Sequence, residues 1–172
     1  MRLTQKIPPT KEPFTLEEAK LFLRIVSDQE NSHLLHLLSS ARAYVEDVTG
    51  RALLKQQWLL EIKPPYPPHS PLVKRQGRHV EMRLPRPPLI EVVSIETKDK
   101  SIAYNLEENK VILPSTVWDQ NLSILYWAGY GEESETLPPT LKQALLMVMA
   151  AFYEHQKVDS TLLSPFRVHH LI

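Results

Sequence analysis

Histidines and glutamates are the side chains of this 172-residue sequence with the most potential for chemistry. His33 and His36 lie three residues apart, and Glu30 lies three residues before His33. On a helix this spacing places the side chains on one face, where they could hold a metal ion. His36 also lies close to a row of leucines, and no further ligand cluster is apparent. The pattern therefore favours an ordinary helix surface over a metal site.

Other acid–base candidates lie in the last third of the chain. Glu154 and His155 are adjacent, so on a helix they point about 100° apart and do not form a paired site. The H-E-x-x-H spacing of zinc helices is missing, and the pair His169-His170 is typical of a flexible tail. An acidic run precedes the last predicted helix, where the helix dipole favours carboxylates: Glu132, Glu133 and Glu135. An enzyme that uses Glu and His stays open as an alternative.

The most basic stretch is "KRQGRHVEMRLPR", which predicts either a nucleic-acid surface or a charged strand face. Equal numbers of acidic and basic residues, 20 of each, argue against a protein held on nucleic acid by bulk charge. A small nucleic-acid-binding module using residues 74–86 remains a second alternative. Its cations are Lys74, Arg75, Arg78, Arg83 and Arg86.

Composition excludes several kinds of site. The sequence has no cysteine, which rules out disulfides, thiolate zinc sites and cysteine nucleophiles. Four glycines without a following lysine make no phosphate loop, and no cofactor is expected. No apolar run reaches the ~20 residues of a membrane span. The N-terminus lacks a signal-peptide core and predicts a Pro-rich arm of low order, in a soluble intracellular protein.

Three helices are predicted. Thr15 and Glu18 have capping-box spacing, which predicts a helix over about 16–25. Leucines at intervals of three and four, followed by Gly50, predict a long helix over about 29–49. Prolines begin the helix at about 138–156. That helix is apolar nearly all round, so it must be covered on several sides, and we expect part of the cover to be a second chain.

Between the helices, the pattern changes to short β-rich runs. Strands are predicted at about 56–62, 79–84, 89–98, 110–113 and 122–130. A Pro-rich loop at 64–71 separates the first two. The spacing favours a small antiparallel sheet or barrel, with a core that includes Tyr126 and the three tryptophans. The fold class is therefore α+β.

The ordered segments resemble a known family. "FTLEEAKLFLRI", "ARAYVEDVTGRALLKQQWLL", "MRLPRPPLIEVVSI" and "LYWAGYGEESETLPPTLKQALLMVMAAFYEHQ" are similar to the head–tail connector proteins of tailed bacteriophages, also called adaptor or head-completion proteins. The resemblance covers about residues 14–156. It indicates the subgroup with a β insertion, which also occurs in prophages and gene transfer agents.

The resemblance implies one connector domain over residues 1–172. Its N-terminal helical pair and long C-terminal helix form a small bundle from residues 14–50 and 138–156. An antiparallel β insertion at 56–130 and an extended docking tail at 157–172 complete it. Family members are structural virion proteins without catalysis, at the head–tail interface, and are made in the bacterial host cytoplasm.

The same resemblance implies the partners. Connectors form a ring, usually of twelve copies, beneath the portal protein, and they present a platform for a tail completion or stopper protein. Packaged double-stranded DNA passes through the ring without sequence-specific binding, and no membrane is involved. The C-terminal segment commonly docks on the portal; here its anchors would be Leu162, Leu163, Phe166, Arg167, Val168, Leu171 and Ile172.

Ring subunits meet through two different faces. We therefore expect a basic set on one subunit, Arg75, Arg78 and Arg83, to meet Glu132, Glu133 and Glu135 on the next. Apolar contacts between subunits would come from the last helix, through Met147, Met149 and Tyr153.

Overall fold

The computed structural model describes residues 1–66, 72–98 and 100–168. The chain divides into two compact units. The β unit comprises residues 1–8 and 55–129, and the helical unit comprises residues 9–54 and 130–168. The α+β class with antiparallel sheets is confirmed. The assignment of all 172 residues to one connector domain stays a prediction.

The first helix of the helical unit begins as predicted and ends earlier. Helix α1 runs over Leu16–Leu23, and Thr15 and Glu18 cap it reciprocally through side chain and backbone. Arg24 follows in the left-handed region at φ 57°, and its N–H bonds Leu21. This αL cap ends the helix two residues before the predicted end.

Two longer helices complete the unit. Helix α2 runs over Asn31–Thr49 and ends at Gly50, which has φ 71°. Helix α3 runs over Pro139–Tyr153. Of the helices that the structure describes, none is long and apolar enough to cross a membrane. Buried side chains from all three helices form one core with residues that flank them: Phe14, Ala19, Leu38, Ala41, Val45, Leu53, Leu54, Leu137, Leu141, Ala144, Leu145, Val148, Met149 and Leu163.

The β unit contains a five-stranded antiparallel sheet that includes the N-terminus. Strand β1 (Arg2–Ile7) pairs with β2 (Gln56–Ile62), so the prediction of a low-order arm is wrong for these residues. The periodicity of β1 is weak because most of its side chains are exposed. The sheet order is β1-β2-β9-β5-β6, with β5 at Leu89–Thr97, β6 at Lys100–Ser101 and β9 at Leu122–Ala128.

A second sheet of four strands has the order β3-β4-β8-β7. Its strands are β3 (Val73–Gln76), β4 (His79–Arg83), β7 (Asn105–Glu107) and β8 (Lys110–Pro114). Strand β3 was not predicted, because only Val73 in it is apolar and buried. The prediction of one sheet or barrel is therefore replaced by two sheets.

The aromatic side chains of the β unit do not all enter its core. Tyr126 is fully buried, and its hydroxyl donates to the Pro85 carbonyl at 2.9 Å. Trp58, Trp118 and Trp127 remain partly exposed, so the prediction that they fill the core is only partly right. Arg86 lies over the ring of Trp58, and Lys55 lies over that of Trp127. The cations cover indole faces that the core leaves open.

Candidate functional site

The predicted docking tail, residues 157–172, contains a 3-10 helix at Ser160–Phe166. Asp159 caps it by accepting hydrogen bonds from the backbone N–H of Thr161 at 2.9 Å and from its hydroxyl at 2.8 Å. These two bonds hold the pKa of the Asp159 carboxyl below its usual value. The prediction of an extended tail is therefore wrong for residues 160–166.

The apolar side chains of this helix turn toward the helical unit itself. Leu163 is 0 % exposed and belongs to the unit's core. Leu162 and Phe166 are half-buried against the same core, and Arg167 is exposed. Leu163 is therefore removed from the predicted docking anchors, because no partner can reach it in this conformation. Leu171 and Ile172 lie outside the described residues.

Polar contacts hold the end of the tail segment as well. The Arg51 guanidinium donates to the Phe166 carbonyl at 2.7 Å and to the Tyr130 hydroxyl at 3.1 Å. The Val168 N–H donates to the Thr49 carbonyl at 2.8 Å. Sequence reasoning did not identify Arg51 or Thr49, although both lie in the segment "AYVEDVTGRAL". A charged residue directly after a helix-ending glycine was the available signal.

A buried carboxylate supports the turn that carries Arg51. Glu46 is 7 % exposed, and its carboxylate accepts from the Leu53 N–H at 2.8 Å and from Arg42 at 3.3 Å. Arg42 also donates to both carboxylate oxygens of Glu12, at 2.8 and 3.2 Å. Pairing with two carboxylates outweighs burial and raises the pKa of Arg42. Glu46 anchors the chain after Gly50.

One of the three residues of the predicted apolar interface on α3 is internal. Met149 is 0 % exposed in the core, so it cannot contact a neighbouring subunit and is removed from the predicted interface. Met147 is 46 % exposed. Tyr153 is half-buried and donates its hydroxyl to Glu30 at 2.9 Å. That hydrogen bond raises the pKa of the Tyr153 hydroxyl. The helix needs less cover from a second chain than its composition predicts.

The candidate metal ligands His33, His36 and Glu30 lie at or near the start of α2. His33 and His36 are exposed on α2, and the His33 ring lies 6.4 Å from the Tyr153 ring. The Glu30 carboxylate accepts the Tyr153 hydroxyl. Within residues 1–66, 72–98 and 100–168, no group of three His, Asp or Glu side chains has the arrangement of a metal site.

The basic residues of the β unit do not share one strand face. Lys74 pairs in register with Glu81, which places it on the face of Arg83. Arg75 points to the opposite face and lies 5.7 Å from the centre of the Trp118 ring. Arg78 stands in the two-residue turn between β3 and β4, where Gly77 has φ 57°. Lys74, Arg75 and Arg78 are exposed, and Arg83 is half-buried.

The acidic run before α3 already has partners in its own chain. Glu133 forms an ion pair with Lys11, and both side chains are more than half exposed. This partner raises the pKa of the Lys11 ammonium. Glu135 accepts from the Ser134 hydroxyl at 3.1 Å, and its own backbone N–H lowers its pKa. Glu132 also interacts within the chain. The pairing of these glutamates with arginines of a neighbouring subunit stays a prediction.

The segment AGYG contains a glycine that no other residue can replace without movement. Gly131 has φ 156°, and a Cβ there would lie 2.6 Å from Thr136 Cγ2 and 2.9 Å from Thr136 Cβ. Thr136 is held in place, because its hydroxyl donates to the Glu133 carbonyl at 2.6 Å. The glycine thus permits the tight turn that positions the acidic run before α3.

Comparison with known proteins finds a family match for one part of the chain. Residues 13–76 match the family described as phage gp6-like head-tail connector proteins. The matched segment contains α1, α2, the turn that follows Gly50 and carries Arg51, and β2. The resemblance to head–tail connectors predicted from the sequence is thereby confirmed.

Solved structures share the whole fold. A chain from "Neck of empty GTA particle computed with C6 symmetry" has a TM-score of 0.75 and 19 % identity, covering 100 % of this chain and 98 % of that chain. A chain from "Virion of native gene transfer agent (GTA) particle" gives 0.74 and 19 %, with the same coverage. A chain from "Neck of native GTA particle computed with C12 symmetry" gives 0.72 and 20 %, again with that coverage. No curated protein sequence matches significantly.

Proposed function

We propose that this protein is a structural head–tail connector of a tailed phage, prophage or gene transfer agent. The family match and the full-length fold support a structural connector role. The observation that carries the proposal is the match of residues 13–76 to the connector family, in a chain whose fold follows the neck structures from end to end. The family is one of structural proteins, which suggests a non-enzymatic role.

We further propose a ring, as part of the virion. The C6 and C12 symmetry named for the similar neck structures supports a ring oligomer. In this proposal, twelve copies sit between the portal and a stopper or tail completion protein, and packaged DNA passes through the ring. The protein is made in the host cytoplasm and joins the particle at the head–tail interface.

Burial leaves fewer tail residues available for docking on a portal than the sequence predicts. Leu163 and the Arg51 contacts hold the tail segment on its own unit, so its exposed side is what a partner meets first. We propose that Arg167, the open sides of Leu162 and Phe166, Val168, and the last residues Leu171 and Ile172 form the docking surface. Met147 and Tyr153 remain as apolar candidates for the contact between subunits.

Mass photometry with the isolated portal ring tests this proposal. Three proteins are compared with the full chain: one that ends at Val168, one with Arg167→Glu, and one with Lys157→Glu as a matched control for charge. Lys157 is exposed and lies ahead of the 3-10 helix. We expect several full-length copies to bind each portal ring, binding to fall in the first two variants, and the control to bind normally. If none of the four proteins binds, the portal is not the partner.

A chain ending at Gln156 is a poor test, because it removes Leu163 from the core together with the docking surface. Its loss of binding would not separate unfolding from lost contacts. Ending at Val168 keeps both Leu163 and the Val168 N–H bond to Thr49.

A further inference from the structure

Although the whole chain has no net charge, its two units carry opposite net charges. Residues 1–8 and 55–129 contain twelve Lys and Arg against eight Asp and Glu, so the β unit is net +4. Residues 9–54 and 130–168 contain eight Lys and Arg against twelve Asp and Glu, so the helical unit is net −4. Whole-chain neutrality therefore does not argue against a polyanionic partner for the β unit.

Three exposed cations of the β unit lie close together in sequence in the β3–β4 hairpin. Lys74, Arg75 and Arg78 are exposed there, and in the part of the chain that the structure describes no acidic side chain pairs with them. By contrast, Lys110 lies 3.9 Å from Glu81. A two-residue turn that begins with Gly77 projects Arg78 from the end of the sheet.

Two kinds of partner carry the negative charge that such a hairpin would meet. One is the acidic run of a neighbouring subunit, and the other is the phosphate backbone of duplex DNA. The acidic run is already occupied, because Glu133 pairs with Lys11 and Glu135 with Ser134 and its own N–H. Within the described residues, Lys74, Arg75 and Arg78 thus have no ion pair, although Arg75 lies over the Trp118 ring. Glu133 and Glu135 have partners in their own chain, which favours a partner of the cations from outside the protein.

We infer that the β3–β4 hairpin is a site for the phosphate backbone of double-stranded DNA, contacted through Lys74, Arg75 and Arg78. This inference rests on the proposed function, which places duplex DNA in the path of the ring. Three exposed cations on long side chains bind phosphates without reading base edges. Binding by each copy is weak and independent of sequence, which lets DNA slide.

The salt dependence of DNA binding provides the test. Fluorescence anisotropy is measured with the full chain and a short labelled duplex of random sequence. Three phosphate contacts predict a slope of about −2.7 in log affinity against log salt, so affinity falls about 40-fold from about 50 to about 200 mM salt. In the double variant Arg75→Gln, Arg78→Gln the same change should be about 3.5-fold.

The matched control removes the same charge elsewhere in the β unit, with Lys98→Gln and Lys100→Gln. Both lysines are exposed; Lys98 directly follows β5, and Lys100 is the first residue of β6. The control should keep the slope of the natural sequence. Equal slopes in hairpin variant and control would show that overall charge acts rather than the hairpin, and would overturn the inference.

Two further outcomes also refute it. A flat salt response of the natural sequence would do so without any variant. A hairpin variant that keeps the DNA slope but no longer self-associates would assign the hairpin to a neighbouring subunit's acidic run. Portal binding is measured separately by mass photometry. If the DNA test fails while the portal is bound, only the hairpin inference is refuted. If the portal is not bound, the connector proposal itself is refuted.

Discussion

Replacing Leu163 with alanine measures how firmly the tail segment belongs to the fold. Leu163 is 0 % exposed among core residues of the helical unit. Leucine-to-alanine changes at such sites cost about 2–5 kcal/mol, because they lose apolar burial and leave a cavity. For a chain of this length, a loss of about 3 kcal/mol lowers Tm by roughly 6–12 °C.

The control is the same substitution at Leu35, a residue of α2 that is 50 % exposed. Surface changes of this kind stay within about 0.5 kcal/mol. Urea unfolding is followed by circular dichroism at the helical band, which reports α1, α2 and α3, and by tryptophan fluorescence. All three tryptophans lie in the β unit, so their signal follows that unit.

We expect Leu163→Ala to lower the midpoint of the helical transition, while Leu35→Ala leaves it unchanged. If both variants lose less than about 1 kcal/mol, the segment does not occupy the core in solution. The interpretation of residues 157–172 as a free docking tail would then be restored.

Three other changes test neighbouring parts of the structure. Gly131→Ala should destabilise the helical unit by about 1–3 kcal/mol, because its Cβ meets Thr136, and thermal unfolding checks this; an unchanged Tm would show that the turn adapts. Arg51→Met should speed hydrogen exchange of the Val168 N–H by releasing the Phe166 carbonyl, and unchanged exchange would show that Leu163 alone holds the segment. Backbone hydrogen bonding at Thr15 lowers the pKa of Glu18 below 4.5, so its stabilisation is present above pH 4.5 and is lost as the pH falls through the folded-state value. The stability difference from Glu18→Gln should therefore shrink in acid, and a difference independent of pH would contradict that origin.

The sequence predicts the helices of this fold well, because their signals are local. The capping box of Thr15 and Glu18, the leucine spacing of α2 and Gly50 each act within a few residues. Strand β2 is predicted to the residue for the same reason. Strands β1 and β3 were missed because exposed polar residues fill them, and their pairing partners β2 and β4 supply the order.

The candidate site was harder to predict, because burial decides which side chains are available to a partner. Leu163 and Leu162 are identical in type and adjacent, yet only Leu163 enters the core. On α3, likewise, Met149 is buried while Met147 is exposed. Glu46 is a charged residue that composition alone would leave in solvent, but it is buried and its carboxylate accepts a hydrogen bond from the Leu53 N–H. These outcomes depend on which elements meet in space, and no local pattern carries that information.

The burial of Leu163 in its own core also imposes a free-energy cost on any partner that needs this segment released from the helical unit. A partner that binds residues 162–168 in a peeled-away form competes with the folded arrangement. If opening costs about 3 kcal/mol, only about one molecule in 150 is open, and the apparent dissociation constant rises by the same factor. A single copy would then hold such a partner poorly. Many copies presented together on a symmetric target recover the lost affinity through avidity. Toward such a partner, the newly made protein would stay unbound until a multivalent target is present, whereas a partner that uses only the exposed side of the folded segment has no such cost.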